Sequence, residues 1–232
     1  MSATHRSASL ARGFLDALPL TPGVVMFGLV YGVAARAVGL SPVETAGMSA
    51  IVHAGSSQFA ALGMWLSATP GAIVLTTLII NLRHLLMGAS VAPYLRHLPL
   101  RWKMLLALWM SDESYATAIA AYERGRGSEW HFLGANLCIW IVWWPSGLAG
   151  ALAGQSIPDL SRYGLEMVFP LAFIGLAASF FKGRASAVAA GVAAVTAVLG
   201  AVWLPGNWHI IGAGLLGSLA GLAAVREGGA RS

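Results

Sequence analysis

Ser49-Ala50-Ile51-Val52-His53-Ala54-Gly55-Ser56-Ser57-Gln58-Phe59 lies in the middle of an otherwise apolar stretch, 43–66. Crossing a bilayer takes about 20 mainly apolar residues, so the stretch is long enough. Gly55 followed by two serines and a glutamine makes poor continuous helix, and a break is expected there, at mid-depth. A half-helix starting at 56–58 would present free backbone N–H groups and the positive end of its dipole, which suits a carboxylate. The competing reading is that the serine hydroxyls simply bond back to carbonyls of the preceding turn.

Similar apolar stretches run on either side, at roughly 17–38, 72–93, 102–122, 130–154, 163–181, 185–204 and 207–225. Turn signals separate them: Gly39-Leu40-Ser41-Pro42, Thr69-Pro70-Gly71, Leu98-Pro99-Leu100, Ile157-Pro158-Asp159 and Leu204-Pro205-Gly206-Asn207. The chain is 57% hydrophobic and 10% charged, with mean hydropathy +0.72. A soluble domain carries about 25% charged residues, so most of this surface must face lipid. The expected fold is all-α, a polytopic transmembrane bundle of seven or eight helices with the second broken or kinked; a re-entrant stretch would make it seven. No linker separates folded domains, which leaves a polar amino-terminal segment (1–16), one transmembrane domain (17–226) and a short polar tail (227–232). The first apolar stretch is too long for a signal-peptide core and reads as a retained span.

Gly28-Gly32, Gly150-Gly154 and Gly217-Gly221 each predict a flat strip where a second helix approaches closely. Trp102, Trp130, Trp203 and Trp208 fall near span ends, at interface depth. The net charge of +5 comes from basic residues scattered at segment ends rather than from a basic face, which argues for head groups and against nucleic acid. Counting Lys and Arg between spans gives a weak excess for an inside amino terminus. Cys138 stands alone, so no internal disulfide or cysteine metal cluster can form, and it reads as a packing residue. No cofactor or metal is expected.

An ionised side chain at mid-membrane costs roughly 2.5–3.5 kcal/mol, so such groups must pair, protonate or line a wet cavity. Arg83, Asp112, Glu113 and Glu166 fall inside or near the edge of apolar stretches. In the third stretch Thr77, Asn81, His84 and Gly88 share one helical stripe, and Arg83 points about 100° away from His84. One of the two can then face a cavity while the other pairs with another helix; His84 reads as either a titrating relay or a packing residue. Asp112 and Glu113 also diverge by about 100° on a helix, so they have separate jobs. One can pair with Arg83 while the other receives an ammonium or carries a proton, unless the span starts later and both lie among head groups. Glu166 reads as a first-turn carboxylate, Pro170 as a kink and Asn136 as interhelical glue.

Across residues 13–185 the chain resembles the AzlC-type branched-chain amino-acid permeases, or exporters. The resemblance rests on Pro22-Gly23 with Gly28 and Gly32, on Ala54-Gly55-Ser56-Ser57-Gln58-Phe59, on Asn81-Leu82-Arg83-His84-Leu85-Leu86-Met87 and on Asp112-Glu113. It implies a multi-pass protein of the cell inner membrane that exports leucine, isoleucine, valine and perhaps methionine. It also implies proton drive and a small, separately encoded AzlD-type membrane subunit. A zwitterion needs a carboxylate receptor, an ammonium receptor and, for a branched side chain, an apolar pocket. The expected substrate-binding residues are Ser56, Ser57, Gln58, Asn81, His84, Asp112 and Glu113, with Arg83, Asp112 and Glu113 as ion pair or coupling groups. Met26, Phe27, Phe59 and Met87 are candidates for the apolar pocket.

No catalytic residue is expected. The rival readings are a channel or structural membrane subunit, and an intramembrane serine hydrolase using Ser56 or Ser57 with His53 or His84. The hydrolase lacks a G-x-S-x-G elbow and an identifiable oxyanion donor.

Overall fold

A computed structural model describes residues 3–155, 183–203 and 208–229, and it is helical with short turns and no strand among those residues. The stretch 163–181, with Glu166 and Pro170, lies outside them, as do the turns at Ile157–Asp159 and Leu204–Asn207.

Helix starts follow the turn chemistry. Ser41 caps α3 (Pro42–Ile51) in a reciprocal box with Glu44, and Pro42 occupies the first turn. Thr69 caps α5 (Pro70–Asn81) in the same proline-led way, accepting from the Ala72 N–H. Ahead of these, α1 (Ala3–Ala17) passes through a 3-10 turn at Leu18–Leu20 into α2 (Thr21–Ala37). Gly39, at φ +91°, turns the chain from α2 toward α3.

The second apolar stretch is broken, as its sequence implies. α3 stops at Ile51, Val52-His53-Ala54 is non-helical, and α4 (Gly55–Met64) follows. Two departures from the expected plan accompany it. The third stretch is divided at Leu82 into α5 and α6 (Arg83–Val91), where the Leu82 N–H is shared between the Leu78 and Ile79 carbonyls. The fourth, expected to be one continuous helix, is α7 (Leu100–Leu108), a break at Trp109-Met110-Ser111, and α8 (Asp112–Glu123). Laid end to end, two half-helices of 10 residues would reach about 30 Å, which is the hydrocarbon thickness.

The axis of this unit is α9 (Glu129–Gln155), whose 27 residues extend about 40 Å. The paired glycine strips meet here. A methyl on Gly32 would overlap the Gly147 carbonyl oxygen, and one on Gly150 would overlap the Leu29 carbonyl oxygen. α1 joins the same axis, with Gly13 against the His131 carbonyl and Gly134 against the Leu10 carbonyl. The polar amino-terminal segment is thus a packed helix. One apolar core joins Tyr31, Phe59, Leu62, Cys138, Ile139 and Trp143; a second joins Val91, Leu95, Leu106, Met110 and Phe132. α9 contributes to both.

A second unit holds α10 (Arg184–Trp203) and α11 (Trp208–Gly229), packed together as a pair. Its contact is the third predicted strip, with Gly217 against Ala189 and Ala193 and Gly221 against Ala189.

Candidate functional site

Each break frees backbone groups in a low-dielectric setting, and every one needs a partner. Where α3 stops, the Ala50 carbonyl accepts from the Trp140 indole N–H at 3.2 Å. Where α7 stops, the Leu106 carbonyl accepts from the Asn136 amide at 3.0 Å. Both donors come from α9, one helical turn apart. Trp140 also packs against Trp109, with ring centroids 5.8 Å apart, so one indole touches both breaks. Trp140→Phe keeps the ring contact but leaves a carbonyl unpaired, which costs about 1–3 kcal/mol. Its thermal midpoint in detergent should fall, and an unchanged midpoint would show that another donor replaces the indole.

The two half-helix starts differ. At α8, Ser111 and Ser114 cap each other reciprocally, and Asp112 and Glu113 fill the first turn, where the dipole favours negative charge. At α4, Ala54 has no capping side chain, so the first-turn N–H groups of Gly55, Ser56 and Ser57 have no intrahelical acceptor. Ser57 is buried and gives its hydroxyl to the Ala54 carbonyl at 2.8 Å. Gln58 is wholly buried; its amide donates to Ser49 at 3.3 Å, and its oxygen accepts from Trp143 at 3.1 Å. Both side chains, expected among the substrate residues, are spent inside the protein. Ser56 remains partly accessible at the head of the helix.

The division between α5 and α6 presents the third group. Arg83 Nη1 lies 2.7 Å from Asp112 Oδ2, and the two side chains are 26% and 32% exposed. This joins α6 to the head of α8 and selects Asp112 as the paired carboxylate. Glu113 follows Asp112 in the same first turn of α8, within electrostatic range of Arg83. His84 donates from Nδ1 to the Asn81 carbonyl at 3.2 Å and lies within electrostatic range of His53 at the first break. The Asn81 side-chain oxygen and the Arg83 Nε are buried with no partner among the described residues. Asn81, Arg83, His84, Asp112 and Glu113 therefore form one polar region.

The apolar candidates separate. Phe59 is buried edge-on against Tyr31, Met26 is 61% exposed, and Met87 and Phe27 pack at the margins of different cores. The arrangement the sequence did not signal is the bracing of the breaks by α9. The lone Asn136 was legible as glue, but its acceptor, a carbonyl freed by a break, was not.

The sequence pattern of the AzlC protein family matches residues 19–157, which include all three interrupted stretches. The chain is 30% identical over 200 residues to an uncharacterised membrane protein of Archaeoglobus fulgidus, covering 84% of this chain and 87% of that one. It is 30% identical over 203 residues to the inner membrane protein YgaZ of Escherichia coli, covering 80% and 79%. Over 169 residues it is 27% identical to the branched-chain amino acid transport protein AzlC of Bacillus subtilis, covering 72% and 66%. No solved structure matches the chain. Helical, lipid-facing and matched across the whole of its interrupted region, the chain is a membrane protein of the AzlC family.

Proposed function

We propose that the protein exports the branched-chain amino acids leucine, isoleucine and valine, with methionine as a further candidate substrate, coupled to the proton gradient and assembled with a small AzlD-type membrane subunit. The Bacillus relative's name supports the substrate class. The observation that carries the reading is chemical complementarity. The head of α4 offers uncommitted N–H donors, while the head of α8 offers a carboxylate, Glu113, that the Arg83–Asp112 pair leaves available. A zwitterion needs both. In this mechanism the half-helices rock around a site between the breaks, opening it to each side in turn.

The test measures intracellular leucine, isoleucine, valine and methionine during dipeptide feeding, with the chain present or absent and its small partner supplied. Lower pools with the chain support export, and equal pools overturn it. Glu113→Gln removes one charge-assisted contact worth about 1.5–3 kcal/mol, so efflux should fall by about tenfold or more. A structural subunit would tolerate that change, and a channel would carry solute without saturation.

One pair of the hydrolase reading is not joined. Ser57 gives its hydroxyl to a backbone carbonyl, while among the described residues both ring nitrogens of His53 lack a partner, so Ser57 and His53 are not hydrogen-bonded to each other.

A further inference from the structure

Buried polar atoms in native proteins nearly always have a hydrogen-bond partner, and an exception calls for an explanation. His53 is such an exception. It is 7% exposed, and among the described residues neither Nδ1 nor Nε2 meets a donor or acceptor. Its place in the chain gives the orphaned ring a use. It occupies the non-helical break, immediately before Ala54, the residue that begins α4 without a capping side chain. Two independent deficits therefore coincide, a helix head with unused N–H groups and an imidazole with unused nitrogens.

We propose that His53 is a specificity-determining residue that donates a ring N–H to the carboxylate of the transported solute, completing the receptor begun by the amides of Gly55, Ser56 and Ser57. This rests on the export reading above and names the residue that selects for a carboxylate. A neutral imidazole carries one N–H and one acceptor nitrogen. The N–H adds a directional donor to the helix dipole's diffuse positive field, and the other nitrogen can accept from a water in the same site. Among the described residues, His84 on α6 is the titratable group whose field reaches His53. Around the break, α9 supplies Trp140 and Trp143 and α2 supplies Tyr31, all uncharged at neutral pH. Among the described residues, no carboxylate is paired with the ring.

The experiment uses cells expressing the full chain with its small partner and follows leucine efflux against internal leucine concentration. His53→Ala should raise the half-saturating concentration at least tenfold with a smaller change in maximal rate. His53→Gln, which keeps an N–H donor, should fall between Ala and the wild type. If His53→Ala fails to reach the membrane, the Gln variant decides, because loss of packing alone would not shift half-saturation. Independently, leucinamide, which lacks the carboxylate, should inhibit wild-type leucine efflux at least tenfold more weakly than valine does. Wild-type half-saturation in the His53 variants, or equal inhibition by leucinamide and valine, would overturn the assignment. A wild-type protein that moves no amino acid would instead overturn the export reading itself.

Discussion

Arg83→Ala is expected to reduce leucine efflux by about 30- to 150-fold, an effect of about 2–3 kcal/mol, while the chain still reaches the membrane. Removing one member of a fully buried ion pair costs about 3–5 kcal/mol because the other charge is stranded. With 26% of the Arg83 side chain and 32% of Asp112 exposed, solvent screens part of that cost, hence the lower figure. The loss falls on the site more than on the fold. Asp112 keeps its favourable place at the head of α8, but α6 loses its tie to that head, and Glu113 loses the nearby positive field. Asp112→Asn should act in the same direction with a smaller effect, since the amide still accepts from the guanidinium. Efflux assays on both variants, normalised to membrane content, decide the matter; full efflux in both would remove the pair from the mechanism.

A charge exchange sharpens the same prediction. Arg83→Asp combined with Asp112→Arg restores opposite charges across the 2.7 Å contact, yet it places a cation at the positive end of α8. The dipole opposes a cation there by about 0.3–1 kcal/mol. The double variant should therefore recover only part of the activity that either single change removes.

What the sequence conveys and what it withholds can be traced to particular residues. Ser41-Pro42 and Thr69-Pro70 are readable helix starts because a capping oxygen and a fixed φ act locally. The break before Gly55 is readable for a similar reason, since glycine and serines interrupt an apolar run. The break at Trp109-Met110-Ser111 hides behind two large apolar residues. Its one local sign is Ser111 three residues before Ser114, with two carboxylates between them, which reads equally as a polar patch on a continuous helix. That an unpaired Arg83 would be too costly in hydrocarbon is an argument from the sequence. The choice of Asp112 over Glu113 depends on where α8 begins, which is a tertiary fact. Gln58 shows the limit most clearly. Its nine-residue partner Ser49 lies across the break, and Trp143 lies 85 residues away, so an amide that looks poised for a ligand is consumed by packing.

The largest effect on folding is expected where α2 meets α9. At Gly32 an added Cβ would overlap the Gly147 carbonyl oxygen and sit 2.5 Å from the Ala151 nitrogen. These are backbone atoms of a helix, which cannot swing aside as a side chain can, so the two helices must separate. Overpacking of this kind costs about 1–3 kcal/mol for small additions, and a leucine should exceed that range. Gly32→Ala is then expected to lower the thermal midpoint in mild detergent by roughly 4–10 °C, and Gly32→Leu to leave little folded protein. Gly23→Ala is the control, because among the described residues nothing lies within 4 Å of its added Cβ and the same methyl should be harmless. Equal midpoints for Gly32→Ala and Gly23→Ala would mean that α2 and α9 are not held in contact. The consequence extends beyond α2. α9 also delivers Trp140 to the end of α3 and Asn136 to the end of α7, so displacing it strands the carbonyls at both breaks together. A milder shift such as Gly28→Ala, where the added atom meets the Ser146 side chain at 2.6 Å, should therefore impair efflux before it unfolds the protein.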